Sequence, residues 1–496
     1  MIDDNQVIKM IFGFKVRYLR QQQGLSYQQL QDRTGLSLSY LSDIEKGKKY
    51  PKPNKITVLA DAFGVDYDFM VSTNASKKLQ PVIDLLSSNF FKLFPLDEFG
   101  ISPKKLVELF TNTPDKVNAF IRTIFQIRRN YQITQNEFYE VALRAYQDMH
   151  NNYFEDLEKA VDDFRVEYGA PKSFPYTKAF LEEKLLSIYN IKVDRTTLPT
   201  KKNLKNIRSL FAPKRKVLMI NEGLEDAQEN FLLARELGFQ YLGFKPRPLE
   251  TRMVQTSSFE KILNNFFASY FSVSLLMQEE ELVQDIKTIV QKNTWRPELF
   301  LALLEKYDVS QETLLKRLLN ILPHHFGIEQ LFFQRMTGGQ NLKEFVMTQE
   351  LHLGQLHNPY GNLLNEHYCH RWVAVKILKK LRMNMALDPS AQQLVNIQIS
   401  KYWESEDEYL CISLAKPDFH NPKESVSVTI GFRLNTKLRS IFNFLSDPDL
   451  KHRTVNTTCE RCSMPNCDSR VAAPMIIEEE RRKANMKAEL KALSKQ

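Results

Sequence analysis

The sequence predicts a mainly α, multidomain chain, and three observations carry that reading. At 496 residues it is too long for one hydrophobic core, given ~150 residues per domain. Apolar residues recur at helical spacing through most of its length, and strand-like runs gather in the last third. Polar and proline-bearing stretches divide it. Five segments result: an N-terminal five-helix domain over 1–75, a helical connector over 76–172, a largely helical domain over 173–340, an α+β domain over 341–475 and a charged tail over 476–496.

The composition is that of a globular protein, with 43% hydrophobic and 26% charged residues, which excludes disordered and fibrous classes. Met1–Asn5 is polar and acidic, and the apolar stretch after it is broken by Lys15, Arg17 and Arg20. No secretory signal and no run of ~20 apolar residues follows, so a cytoplasmic chain without a membrane partner is expected. The net charge of +9 is thin over this length, and residues 1–75 carry 10 Lys+Arg against 8 Asp+Glu, a local net of +2. Lys46, Lys48, Lys49, Lys52 and Lys55 nevertheless share an acid-free stretch suited to a phosphate backbone.

In the first segment, GLSYQQLQDRTGLSLSYLSDIEKGKKYPKP reads as two short helices about a turn. Ser26 caps the first, whose inward residue is Leu30; Gly35 makes the turn; Ser37 caps the second. Leu41 and Ile44 face inward, leaving Leu38, Ser39, Ser42 and Asp43 outward. Ser72–Lys78 reads as a linker, and Pro81 to about Glu167 as helices. KVLMIN (216–221) is a buried strand, followed by a long helix from Glu225 to Leu242 and further helices to Gln334, with a turn at Thr337–Gln340. VNIQISKYW, EYLCISLA and SVSVTIGF read as strands of one antiparallel sheet, and a charged helix follows Ile477.

The N-terminal segment resembles the lambda-repressor/Cro (XRE) helix-turn-helix family down to its closing DAFGVDYDFM pattern. That resemblance implies a DNA reader and makes Arg20 and Glu45 a scaffold pair. Outward residues on the first turns of the second helix enter the major groove. Leu38 then meets a thymine methyl, Ser39 and Ser42 bond either base class, and Asp43 accepts from cytosine N4. Ser37 and Tyr40 stand with them on the same helix, and Tyr27, Gln28, Lys48 and Lys49 are placed for phosphates. The set has no Arg, Asn or Gln for bidentate base contacts, so specificity falls on dimer spacing and DNA shape. Gln31 departs from the alanine usual at the close contact of the two helices. Palindromic half-sites about one helical turn apart imply a homodimer.

NFLLARELGFQYL holds Arg235-Glu236-Leu237-Gly238-Phe239 in the register of H-E-x-x-H, with Arg235 and Phe239 in place of the histidines. With the upstream strand it resembles the ImmA/IrrE-type metallopeptidase domain over roughly 175–335. Two histidines one turn apart would bind zinc and the glutamate would activate water; Arg235 repels a cation and Phe239 has no lone pair. His324 and His325, being adjacent, point to different faces of a helix. A degenerate domain that is not an enzyme is expected, Glu236 pairing with Arg235 or a neighbour. The acid-free run KKNLKNIRSLFAPKRK carries Lys201, Lys202, Lys205, Arg208, Lys214, Arg215 and Lys216. It suits a solvated face, DNA flanking an operator, or the phosphates of a coenzyme A-type ligand.

Five cysteines, Cys369, Cys411, Cys459, Cys462 and Cys467, lie in the C-terminal third. In a reducing compartment clustered thiols read as metal ligands before disulfides. Cys459, Cys462 and Cys467 form C-x2-C-x4-C, with Arg470 three residues further on. A fourth ligand comes from Cys369 in YCHRW, with His370 and His452 as alternatives, while Cys411 sits in an apolar strand as core. This order of motifs, with HNNYFEDLE in the connector, resembles the bacterial short-chain fatty acyl transcriptional regulators. The resemblance implies an iron–sulfur cluster on Cys369, Cys459, Cys462 and Cys467, zinc being the alternative, and a short-chain acyl-CoA as effector. The expected function is a dimeric DNA-binding regulator of central carbon metabolism, its C-terminal half a sensor domain. An antitoxin-like or phage-type repressor is the alternative, and an active protease fused to a DNA reader is disfavoured by the missing histidines.

Overall fold

The computed structural model describes residues 4–72, 135–205, 207–251, 258–338, 344–353, 366–390, 392–418, 421 and 424–494. Much of the expected connector, residues 76–134, lies outside these. By mutual contacts the chain forms two compact units, Met1–Tyr146 with Gln255–Leu263, and Gln147–Val254 with Asn264–Gln496. None of the described helices is long and apolar enough to cross a membrane.

The first unit opens with five helices, α1 (Asp4–Gln22), α2 (Tyr27–Thr34), α3 (Leu38–Glu45), α4 (Pro53–Phe63) and α5 (Tyr67–Val71). Their stops are written in local chemistry. Ser26 and Gln29 form a reciprocal capping box at the start of α2, and Gly35 ends it at φ 64°, a left-handed conformation that glycine adopts without steric cost. Ser37 accepts from the Tyr40 amide to start α3. Pro53 opens α4, and Gly64 closes it. Leu30, Leu41, Ile44, Ile56 and Leu59 are fully buried in one core with Phe12 and Val16. Gly13 lets α1 approach α3: a Cβ there would lie 2.3 Å from the Ile44 carbonyl oxygen. Gln31, at the position where the family favours alanine, is half-buried and accommodated.

In the second unit, helices α7 (Glu155–Glu167) and α8 (Lys178–Tyr189) precede a small sheet of β1 (Lys192–Asp194), β2 (Ser209–Ala212) and β3 (Val217–Ile220), ordered β1-β3-β2. Helix α6 (Gln135–Met149) leads into them from the first unit. Then come α9 (Asp226–Tyr241), α10 (Phe259–Leu276), α11 (Glu279–Val290), α12 (Pro297–Tyr307) and α13 (Gln311–Phe326). A six-stranded sheet follows, in the order β5-β4-β8-β7-β6-β9. Its strands are β4 (Leu331–Gly338), β5 (Phe345–Leu353), β6 (Leu394–Tyr402), β7 (Glu408–Pro417), β8 (Ser425–Arg433) and β9 (His452–Val455), with α14 (Val373–Leu387) between β5 and β6. Short α15 (Thr436–Ile441) follows β8, and α16 (Met475–Leu493) ends the chain with no buried residue.

Two expectations are corrected here. Helices do not run to Gln334: α13 stops at Phe326, with Gly327 in the left-handed conformation, and Gln334 lies in β4. Thr337 and Gly338 are likewise strand, paired with Val346 and Phe345, while Gly339 and Gln340 lie outside the described residues. The three strands read as antiparallel do pair so, in the order β6-β7-β8, and β9 adds a parallel strand beside β6. β4 escaped notice because a central strand with both faces covered lacks the alternation of a half-exposed one.

One face of the sheet shares a core with the helices before it: Leu318 and Leu322 cluster with Phe333, Ile412, Ile430 and Phe432. The other face is covered by α14 through Ile377, Leu378 and Leu381. The boundary expected at 340 therefore falls inside a β-hairpin and a common core. The connector's last helix also belongs to this core, through Val161 and Phe164.

Beneath these apolar contacts lies a buried polar lock. Arg317 is fully buried and pairs bidentately with Glu158, the second bond at 3.0 Å. Tyr270 donates to the same carboxylate at 2.6 Å and Ser274 at 3.2 Å. Burial pushes the Glu158 carboxyl up, but Arg317 and these hydrogen bonds outweigh it and hold it below its usual value.

Candidate nucleic-acid interface

The scaffold of the DNA-reading face is a second charge lock. Arg20 donates from Nε to Glu45 Oε1 at 2.6 Å and from Nη2 to Oε2 at 3.0 Å, and its Nη1 reaches the Leu25 carbonyl at 2.9 Å. Glu45 is 1% exposed, so the pair ties α1 to the end of α3 from inside. Such a fork-on-fork contact fixes orientation as well as energy. The expected scaffold role of Arg20 and Glu45 is what the geometry has.

Tyr27, expected near the phosphates, is a third member of the lock. Its hydroxyl donates to Glu45 Oε2 at 2.7 Å, and the Arg20 guanidinium lies 4.2 Å from its ring centroid. Burial, then the bond to Glu45, pushes the phenol up to about 12. Tyr27 is thus committed to holding α2 against the lock.

The outward residues of α3 lie together on its first two turns. Leu38 and Ser39 are exposed, and Ser42 and Asp43 half-exposed. Leu38, at 42% exposure, is a large apolar side chain facing solvent with no cover. Ser37 and Ser39 hydroxyls lie 3.3 Å apart. Tyr40 is half-buried and packs on the core. Asp43 pairs with Lys49 at 3.2 Å, and Lys49 also sits 5.7 Å from the Tyr40 ring centroid. A surface pair like this is worth at most about 1 kcal/mol, so phosphate or base can displace it. Gln28 bonds Asp32 weakly at 3.4 Å on the exposed face of α2, and Lys48 is exposed just past α3.

In the second unit, α9 carries the degenerate motif. Both Glu236 oxygens are taken by Arg247, at 2.7 and 2.6 Å, and Gln240 adds a bond at 2.7 Å. The neighbour that pairs with Glu236 is therefore Arg247, not Arg235. Arg247 also lies over Phe239 at 3.8 Å and Phe211 at 4.8 Å. Gly238 sets the depth of the helix: a Cβ there would meet Phe271 and the Ala268 carbonyl at 3.0–3.1 Å. Sequence reading missed Arg247, because nothing local marks a residue eleven positions beyond Glu236. The acid-free run contains β2, and its exposed cations include Lys201, Lys202, Lys205, Lys214 and Arg215.

The structure sets the segment carrying Cys369 against the one carrying Cys459 and Cys462. The 366–372 and 456–462 segments bridge through Tyr368 and Thr458. The Cys369 amide donates to Thr457 and the Cys459 amide to His367. Cys369, Cys459 and Cys462 are buried, Cys467 half-exposed, and Cys411 buried within β7. Burial pushes the Cys369 thiol up to about 11, and the nearby Cys459 and Cys462 add to this. Arg470 donates to the carbonyls of Cys459, Cys462 and Met464 at 3.1, 3.1 and 2.7 Å, folding the loop around itself. Among the described residues no group of three or more His, Cys, Asp or Glu is placed to hold a metal ion. The sulfurs fit a soft metal in kind, but as placed they do not form a complete ligand set. His370 bonds Lys379 at 3.0 Å, and His452 is exposed on β9.

Comparison with known proteins bears on both units. Residues 16–70 match the helix-turn-helix family model and residues 190–319 the IrrE N-terminal-like domain. The chain is 19% identical to the HTH-type transcriptional regulator RamB of two Mycobacterium tuberculosis strains, over 93% of this chain and 94% of that protein. It is 31% identical to an uncharacterized HTH-type transcriptional regulator, y4dJ, of Sinorhizobium fredii, over 13% of this chain and 84% of that protein. A solved Mycobacterium tuberculosis transcriptional regulator aligns with a TM-score of 0.46 and 16% identity, over 68% of this chain and 93% of that one. The chain belongs to the XRE-type helix-turn-helix transcriptional regulators and carries, behind its DNA-binding domain, an IrrE N-terminal-like domain.

Proposed function

We propose that the chain acts in the cytoplasm as a homodimeric, sequence-specific regulator, each copy presenting α3 to a major groove. The carrying observation is the outward surface of that helix. Leu38 and Ser39 stand exposed, with Ser42 half-exposed beside them, on a helix locked from behind by Arg20, Tyr27 and Glu45. Gln28, Ser37, Tyr40, Asp43, Lys48 and Lys49 surround them as phosphate and edge contacts. Sequence selection from random DNA, followed by anisotropy titration, tests this reading. Enrichment of a palindrome is expected, and Ser42→Ala should relax preference at one position per half-site.

The second unit is proposed as the sensor half, taking a short-chain acyl-CoA or related metabolite and shifting the affinity of the DNA-binding half. Such control requires that the effector bind the two states unequally. Proteolysis is not proposed, since Glu236 is held in a bidentate pair and cannot serve as a free base. An iron–sulfur cluster, with zinc as alternative, stays in the proposal on the strength of the C-x2-C-x4-C spacing and the bridge that sets Cys369 beside that loop. Iron, zinc and acid-labile sulfide measured after anaerobic purification decide it, and their joint absence removes the cluster.

A further inference from the structure

Two arginines of the second unit are equally deep, and only one is paired. Arg317 is 0% exposed and has its carboxylate in Glu158. Arg235 is 6% exposed and makes no hydrogen bond or ion pair among the described residues, and its Nε is fully enclosed without a partner. The neighbouring Glu236 is consumed by Arg247 and Gln240. Arg235 keeps a single contact of note, with its guanidinium carbon 5.3 Å from the Phe239 ring centroid. Burial, with Arg247 adding its own charge nearby, outweighs the attraction of Glu236 and Glu250 and pushes the guanidinium down to about 10. A buried cation with no hydrogen-bonded counter-charge is among the costly arrangements in a fold. It persists where something completes it.

The position of Arg235 indicates what does. It stands at the first histidine of the H-E-x-x-H register and Phe239 at the second, and the 5.3 Å contact shows that the two still share one face. In that motif this face presents a metal cation to the oxygen of a bound substrate. Here an organic cation occupies the same face. A guanidinium offers a planar fork matched to carboxylate or phosphate oxygens, and the Phe239 ring supplies an apolar wall beside it.

We propose that Arg235 is the anchor of a small-oxyanion site on the degenerate motif's face of α9, taking the carboxylate or phosphate of a metabolite. The proposal rests on the second unit being a ligand-binding half, as argued above, but not on which DNA the first unit reads. Replacing the metal-binding histidine by arginine thus turned a site for a cation into a site for an anion.

Thermal unfolding of the full chain without DNA tests this, with sodium propionate and inorganic phosphate as separate probes at constant ionic strength against chloride. One of them should raise the midpoint saturably by about 5 °C near 100-fold saturation, and which one does so distinguishes the carboxylate from the phosphate source. Arg235→Met should lose that response while unfolding in chloride at or above the wild-type midpoint, because it removes an unpaired buried charge. A merely structural arginine would instead lower it. Arg235→Lys, which keeps the charge but not the fork, should weaken the response about tenfold in ligand concentration. The triple variant Lys201→Gln, Lys214→Gln, Arg215→Gln should respond as wild type. No saturable response to either probe, persistence in Arg235→Met, or loss in the triple variant would each overturn the proposal. Operator binding, measured separately, reports on the DNA-reading function alone.

Discussion

The two units are each held by an arginine–glutamate lock, and the locks differ in how far apart their halves lie in sequence. Arg20 and Glu45 are 25 residues apart, Glu158 and Arg317 are 159 apart. Both glutamates are almost wholly buried, and both accept a tyrosine hydroxyl as well as a guanidinium fork. The first lock sits between neighbouring helices of one motif. The second joins α7 to α10 and α13, so it forms only once those segments have come together. Equal chemistry can thus serve a local motif or a global closure, and a sequence announces only the local use.

Breaking the distant lock should cost most. Glu158→Gln leaves Arg317 buried without a counter-charge, and a loss of about 3–5 kcal/mol in the unfolding of the second unit is expected by chemical denaturation. Because the folded carboxyl is held below its usual value, the stability it supplies is present above the unfolded carboxylate range and is lost as pH falls through the folded value. The difference between wild type and Glu158→Gln should therefore be full at neutral pH and shrink below about pH 4.

In the first unit, Glu45→Gln should cost less, about 2–3 kcal/mol, since Arg20 keeps the Leu25 carbonyl and an edge to solvent. The unfolding of the N-terminal helices should shift while that of the second unit stays put. Ser26→Ala removes one half of a capping box and should cost about 1 kcal/mol by the same measurement. Smallest in energy is Lys48→Ala, which should leave stability unchanged. It should weaken DNA binding evenly across sequences and reduce the salt slope by about 1 in anisotropy titrations.

The N-terminal helices were legible because their ends are local: Ser26, Gly35 and Ser37 cap and turn where the residue types say they should. The part Tyr27 plays in the lock was not legible, because its partner Glu45 lies eighteen residues away. Helix α9 was legible to within a residue at each end. Arg247 was not, since it has no periodic or motif signal, and HNNYFEDLE ends at Glu158 without pointing to Arg317 as its partner. Strand β4 was hidden by burial on both faces, and the hairpin it forms with β5 carried the sheet across an expected boundary. The cysteine spacing pointed to one loop, and the structure adds that Arg470 donates to three of its carbonyls.

The claim that organises the rest is that α3 reads DNA from a pair of copies. Hydroxyl-radical footprinting of the full chain on its selected sequence measures this directly. Protection should fall on two symmetric half-sites about one helical turn, 10–10.5 base pairs, apart, and Leu38→Asp on the outward face of α3 should abolish it without unfolding the domain. A footprint without two-fold symmetry, or one that survives Leu38→Asp unchanged, would contradict the account.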